Sequence, residues 1–321
     1  MSTKDEIWND IVIPFAIEPL AVRGRVVRLG DTINAILERH DYPVPVSRVV
    51  GEAVALTVML GSLLKLDGQF QLQTKTDGPV DMIVVDFHAP DCIRAYARFD
   101  KEAVAALGDG PIATPALLGK GVLGMTIDQG SEKSRYQGIV SLDNSSLEQA
   151  AQEYFKQSEQ LPTRVRLAVA EYFSGGQRRY CAGGLMVQYL PSSSDKLRLE
   201  EPAVNMEQDS DLWDEALALV NTIKDYELVD LNLSSEKLLY RLFHEQGVHI
   251  FPSQPLREAC TCSEERVLSM IRSFSGSDRD SMVADDGKIS VTCEFCSRHY
   301  QFMPEDIGPA EPDTALDRKR A

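Results

Sequence analysis

Four of the six cysteines in this 321-residue chain fall within 37 residues: Cys260 and Cys262, then, after thirty residues, Cys293 and Cys296. Two short cysteine pairs brought together supply the four thiolates that a tetrahedral zinc ion takes. Cys293-Glu-Phe-Cys296 has the two-residue gap that lets both sulfurs point at one ion from a tight turn. Cys260-Thr-Cys262 has a single residue between its sulfurs and needs a bent backbone to converge them. The interval predicts a helix from 264 to about 274 and a strand over Ile289–Thr292. One Zn2+ held by Cys260, Cys262, Cys293 and Cys296 is the first expectation. An iron–sulfur cluster is the competing metal, but its customary spacings differ.

Spacing alone leaves open what the metal is for. Most four-cysteine zinc sites only hold a small fold together. Two physical points add a second reading. A segment of about 55 residues can barely bury enough surface to fold unaided, so the metal would carry most of its stability. Zinc-bound sulfurs are thiolates, the form that peroxide attacks, and a disulfide no longer binds the ion. The chemistry has the ingredients of a switch, and equally those of a purely structural site.

Charge narrows the partners. Forty-nine acidic against 33 basic residues leave a net charge of −16, whereas binding to a polyanion is driven by lysine and arginine neutralising phosphates. Nucleic acid and an anionic membrane surface are therefore not expected as partners. The chain has no uninterrupted run of about 18 apolar residues, and its first residues, MSTKDEIWND, are polar and acidic. The expectation is a cytoplasmic protein, in a compartment where clustered cysteines bind metal or do redox work.

Pattern divides the chain into four segments: a core domain over 1–195, an acidic helical linker over 196–250, a cysteine domain over 251–308 and a disordered polar tail over 309–321. In the first, residues 21–27 alternate towards a helix beginning near Asp31, and Ser47 is expected to open a strongly apolar helix through Val50, Val54, Leu60 and Leu64. Phe70, Leu72, Thr74 and Thr76 alternate, Asp77-Gly78-Pro79 turns, and 82–87 runs back as a hairpin; Ile93, Ala95, Ala97 and Phe99 continue the alternation. Ser145 with Glu148 suggests a capping box. Sheet with helices and no βαβ rhythm predicts an α+β fold. After Pro191-Ser192-Ser193-Ser194, residues 200–236 hold eleven acidic residues and one basic residue, Lys224. Leu212, Ala216, Leu217, Val220 and Ile223 nonetheless share a helical face, and Ser234 caps a further helix carrying Leu238, Leu239, Leu242 and Phe243. An ordinary solvated helical pair and a marginal segment that depends on a neighbour both fit this pattern.

Other motifs are weak. Gly119-Lys-Gly121-Val-Leu-Gly124 matches a dinucleotide fingerprint, but the next residues, Met125-Thr-Ile-Asp, read as strand, and no phosphate-cradling loop occurs. Cys92 and Cys181 sit in strand-like contexts as small apolar residues, and His299, near the cluster, is expected to stay outside a complete four-sulfur shell.

The segments QPLREACTC and VTCEFCSRHYQF resemble the redox-regulated chaperones of the 33-kilodalton chaperonin (heat-shock) family. ILERHDYP, GEAVALTVMLGSLLK, TDGP, YARFD, LLGKGVLGMTIDQG, RYQGIV, YFKQSEQLPTR, AGGLMVQYLP and LLYRLFHEQ extend the resemblance over nearly the whole chain in family order. Glu258-Ala259 stands before the first cysteine where the family pattern suggests an aromatic or aliphatic residue. The resemblance implies a bacterial cytoplasmic holdase that uses no ATP and is not an enzyme. It is zinc-bound, monomeric and inactive when reduced. Oxidation would pair Cys260 with Cys262 and Cys293 with Cys296, release zinc and unfold the cysteine domain and linker, giving a homodimer that holds unfolding clients. The linker's apolar stripe, Leu212, Leu217, Val220, Ile223, Leu238, Leu242 and Phe243, is the expected client surface. A thiol–disulfide oxidoreductase built on Cys293 and Cys296, or a zinc-ribbon nucleic-acid binder, are the alternatives, and neither accounts for the whole-chain pattern.

Overall fold

In the computed structural model, residues 10–64, 68–108, 110–128, 135–190 and 206–308 are described. The linker signal at 191–194, residues 196–205 and the tail expected to be disordered lie outside the described residues. Contacts group the chain into two compact units, Met1–Ala259 and Cys260–Ala321.

The first unit begins with β1 (Ile11–Ile17) and β2 (Val22–Leu29), then α1 (Asp31–Leu37) and the long α2 (Val44–Gly61). Five elements of the hairpin region come next: β3 (Gln69–Thr76), β4 (Met82–His88), β5 (Cys92–Arg98), α3 (Lys101–Ala106) and α4 (Thr114–Leu118). The chain continues with β6 (Gly121–Asp128), β7 (Tyr136–Ser141), α5 (Leu147–Tyr154), β8 (Thr163–Ser174) and β9 (Gln177–Tyr189). Helices α6 (Met206–Asn221), α7 (Asp225–Leu228) and α8 (Ser235–Phe243) lead to three short strands, β10 (His249–Ile250), β11 (Gln254–Pro255) and β12 (Arg257–Glu258). One sheet has the order β10-β1-β2-β9-β8, with β11 also on β1, and the other β12-β5-β4-β3-β6-β7. The α+β expectation holds.

Helix α2 lies between the sheets and packs on β2, β8 and β9 of one and on β3, β4 and β5 of the other. By length and hydropathy this helix could cross a membrane, but 78% of it is buried inside the protein, which makes it the core helix. It starts at Val44 rather than Ser47, because Pro45 fits the first turn, where its fixed φ suits a helix and no N–H is needed. The capping box is one residue later than expected: Ser146 and Gln149 cap reciprocally, while the Glu148 carboxylate accepts the Leu167 N–H at 2.5 Å. The expected hairpin of β3 and β4 forms, with Lys75 opposite Met82. Residues 121–128 form strand β6, which removes the dinucleotide fingerprint.

The β10–β8 sheet is covered on both faces. Val12, Val27, Leu29, Ala182 and Met186 face α2, whereas Ile13, Phe15, Ile17, Val26, Leu185 and Val187 face the opposite way onto α6, α7 and α8. Two-sided burial explains why β9 is buried almost throughout instead of alternating.

The second unit contains α9 (Glu264–Arg272), α10 (Gly276–Ser281), the hairpin of β13 (Ile289–Thr292) and β14 (His299–Phe302), and α11 (Pro304–Ile307). Ser263 and Ser275 cap its first two helices through their hydroxyls. Its core consists of Val267, Ile271, Ile289, Tyr300, Phe302 and Ile307.

Candidate metal centre and its neighbouring linker

Each cysteine pair is held by local structure. Cys293 and Cys296 flank the turn between β13 and β14, where the Cys293 N–H donates to Arg298 O at 2.9 Å and the Ser297 N–H to Cys293 O at 2.8 Å. Ser297 takes φ +56°, the left-handed conformation that lets this turn fold back. Cys260 and Cys262 lie immediately before α9, and the Arg266 guanidinium grips the Thr261 carbonyl between them at 2.7 Å. That contact fixes the carbonyl of the single residue between the two sulfurs.

The four sulfurs lie within 4.8 Å of one another and are half-buried. Cys260 and Cys293 are 3.7 Å apart, and Cys262 and Cys296 3.3 Å. A tetrahedral zinc ion with Zn–S bonds of about 2.3 Å sets its sulfurs about 3.8 Å apart, so the array fits a four-thiolate ion. Burial pushes the Cys260 thiol up and, reinforced by hydrogen bonds with the other thiols, pushes Cys296 up to about 12. At Cys262 burial also raises the thiol, but hydrogen bonds from Tyr300 and the neighbouring thiols outweigh it and bring it to about 7. Thiols this close share protons and cannot all ionise together without a cation among them.

The Tyr300 hydroxyl donates to Cys262 Sγ at 3.2 Å, a contact that the cysteine pattern does not reveal. Its signal in the sequence is the alternation of β14, which turns Tyr300 and Phe302 inward. His299 Nδ1 lies 3.0 Å from Thr292 Oγ1 on the exposed face of the hairpin, outside the sulfur cluster. Cys92 is half-buried and Cys181 buried in the first unit. The Cys293–Cys296 turn joins two antiparallel strands, whereas the thiol-lowering position in oxidoreductases is a helix N-terminus.

The linker stripe is packed, not exposed. Val220, Leu238 and Phe243 are fully buried, Ile223 and Leu242 nearly so, and Leu212 is half-buried against the same cluster. Leu217 is half-buried and lines a groove with Trp213 and α5. Leu228 and Leu239 belong to this packed face as well. Phe243 stacks on Phe15 with ring centroids 6.0 Å apart. Beneath α7, the buried Arg28 guanidinium donates to Glu227 O at 3.0 Å and Asp230 O at 2.8 Å, and Arg166 binds Asp225 at 2.5 Å and Ile223 O at 3.3 Å. Arg28, set between Val27 and Leu29 at the apolar end of β2, was the sequence signal for this anchor.

The family model described as Hsp33 protein matches residues 10–303. The 33 kDa chaperonin of Caulobacter vibrioides (strain NA1000 / CB15N) is 44% identical over 300 residues, covering 93% of this chain and 96% of the relative. That of Escherichia coli (strain K12 / DH10B) is 34% identical over 311 residues, with 95% and 98% covered. The crystal structure of the 33 kDa chaperonin from Thermotoga maritima shares the fold, with a TM-score of 0.74 at 19% identity over 93% of this chain and 96% of that one. A family match running from the first sheet through the sulfur cluster, together with whole-length similarity to curated chaperonins, makes this chain a member of the Hsp33 family.

Proposed function

We propose that the protein is a redox-controlled chaperone that uses no ATP and holds unfolding proteins instead of turning over a substrate. The observation that carries this reading is four converging thiols in a unit whose core, among the described residues, has six buried apolar side chains. The proposed ligands are Cys260, Cys262, Cys293 and Cys296. A zinc ion bound there would hold the sulfurs as thiolates and cross-link the unit, a contribution of about 10 kcal/mol or more. Two thiols and one peroxide yield one disulfide and two waters, and a disulfide sulfur carries no charge with which to hold a cation. The resemblance favours Cys260 with Cys262 and Cys293 with Cys296 as the pairs.

Without its metal, 251–308 is proposed to unfold and 196–250 to loosen from the sheet on which it packs. The stripe of Leu212, Leu217, Val220, Ile223, Leu238, Leu242 and Phe243 would then become available to clients. The reduced form is proposed to be a monomer and the oxidised form a homodimer, in a bacterial cytoplasm. The −16 charge favours neither nucleic acid nor an anionic membrane as partner.

Peroxide treatment of the reduced, zinc-loaded protein at raised temperature should release the metal and switch on suppression of thermal aggregation of a model protein. Fully oxidised, zinc-free protein that suppresses nothing overturns the reading. Polar substitutions along the stripe that leave suppression intact count against that client surface.

A further inference from the structure

The ten residues from 249 to 258, ending two positions before Cys260, cover an edge of each sheet in the first unit. Strands β10 and β11 pair antiparallel with β1, Ile250 opposite Phe15 and Gln254 opposite Val12. Strand β12 then pairs parallel with β5, Arg257 beside Cys92 and Glu258 beside Ile93. The Phe251 N–H donates to Pro14 O at 3.0 Å and the Leu256 N–H to Asp10 O at 2.7 Å. By the alternation of an antiparallel strand, the N–H groups of Val12 and Ala16 face the same way.

The cover is incomplete. Pro252 and Pro255 have no N–H to donate, and β10, β11 and β12 are two residues each. Strand β1, Ile-Val-Ile-Pro-Phe-Ala-Ile, is apolar along its length. Left open, such an edge pairs with any extended chain, because its main-chain groups read no sequence.

We propose that residues 249–258 stand in for an extended stretch of unfolded client, and that their departure opens the β1 edge to strand pairing with it. The inference rests on the proposed opening of the linker and cysteine segments, which meet inside this cover at 250 and 251. A client is favoured over a second copy of this chain, because the copy's own 249–258 brings the same two prolines and the same few bonds. A proline-free unfolded segment pairs more completely.

The test tracks amide exchange at Val12 and Ala16 in the full chain: reduced, oxidised, and oxidised with carboxymethylated, permanently unfolded lactalbumin. Both amides should be protected when reduced, exchange at least about tenfold faster after oxidation, and slow again by a similar factor when the unfolded protein is added. Protection that survives oxidation overturns the proposal. So does protection that returns with rising concentration of oxidised protein alone, which assigns the edge to a second copy, or client binding that leaves both amides open. Ala16→Pro removes one outward N–H and spares the pairing of β1 with β2. It should keep its metal when reduced and lose client holding when oxidised; undiminished holding counts against the proposal. Metal release and aggregation suppression are read in the same samples. Absence of both strikes the chaperone reading, whereas suppression with an open edge strikes this inference alone.

Discussion

At Cys262 the ring of Tyr300 packs into the small core while its hydroxyl reaches the sulfur at 3.2 Å. Hydrogen bonds to ligating groups tune metal affinity, and their loss typically weakens binding about 10–100-fold. Tyr300→Phe keeps the ring and removes the donor, so the reduced, metal-loaded variant should yield its metal to a chelator at a concentration about tenfold lower or more, read by competition titration. A second residue, Glu52, has its carboxyl pushed up to about 7 by burial, with Glu148 and Asp225 adding to the rise and the Thr114 hydrogen bond and Arg48 opposing it. Because the folded-state value exceeds the ordinary 4.5, the folded protein holds a proton that the unfolded chain has lost between those pH values. Stability therefore falls as pH rises through about 4.5 to 7 and stays at the lower level above it. Glu52→Gln should flatten that part of the thermal-midpoint profile and leave the variant more stable than the parent at about pH 8.

Among elements, the docking of α7 on β9 depends on main chain meeting main chain. A Cβ at Gly183 would stand 2.1 Å from the Leu228 carbonyl oxygen, and backbone on both sides leaves nothing that swings aside. Gly183→Ala should lift α7 from the sheet, so that the reduced, metal-loaded variant binds an apolar dye that the parent does not; unchanged dye binding and linker protection would argue against this contact. Truncating Phe243, fully buried on Phe15, should cost about 3–5 kcal/mol, seen as linker unfolding at lower denaturant concentration. These contacts mark the limit of what was legible beforehand. Helices α6 and α8 of the linker and their apolar stripe could be read from period and capping, which are local, whereas the four-residue α7 was not read. Which sheet the stripe would meet could not, since that depends on β1, β2 and β9 coming together over more than 150 residues. The run Cys-Ala-Gly-Gly-Leu-Met-Val in β9 likewise could not reveal that both its faces are covered. The sulfur cluster was legible because its four cysteines lie close in sequence in two short pairs whose spacing suits the chemistry of one ion.

For the whole molecule, the two units have unequal means of support. The first has a core helix enclosed by two sheets; the second, among its described residues, has six buried apolar side chains and four sulfurs. A chelator added to reduced protein should abolish amide protection across 260–308 while β2 and β9 stay protected, as hydrogen exchange would record. Retained protection in the second unit would mean that its apolar core suffices. This imbalance bears on the return journey. Electrons alone regenerate four thiols, but under the proposed mechanism the sulfurs, within 4.8 Å of one another, would hold the unit closed only as thiolates around a cation. Opening would thus answer to oxidant, and closing to reductant and free zinc together. The protein would keep a memory of the insult, relaxing only after metal supply has recovered along with the thiol pool.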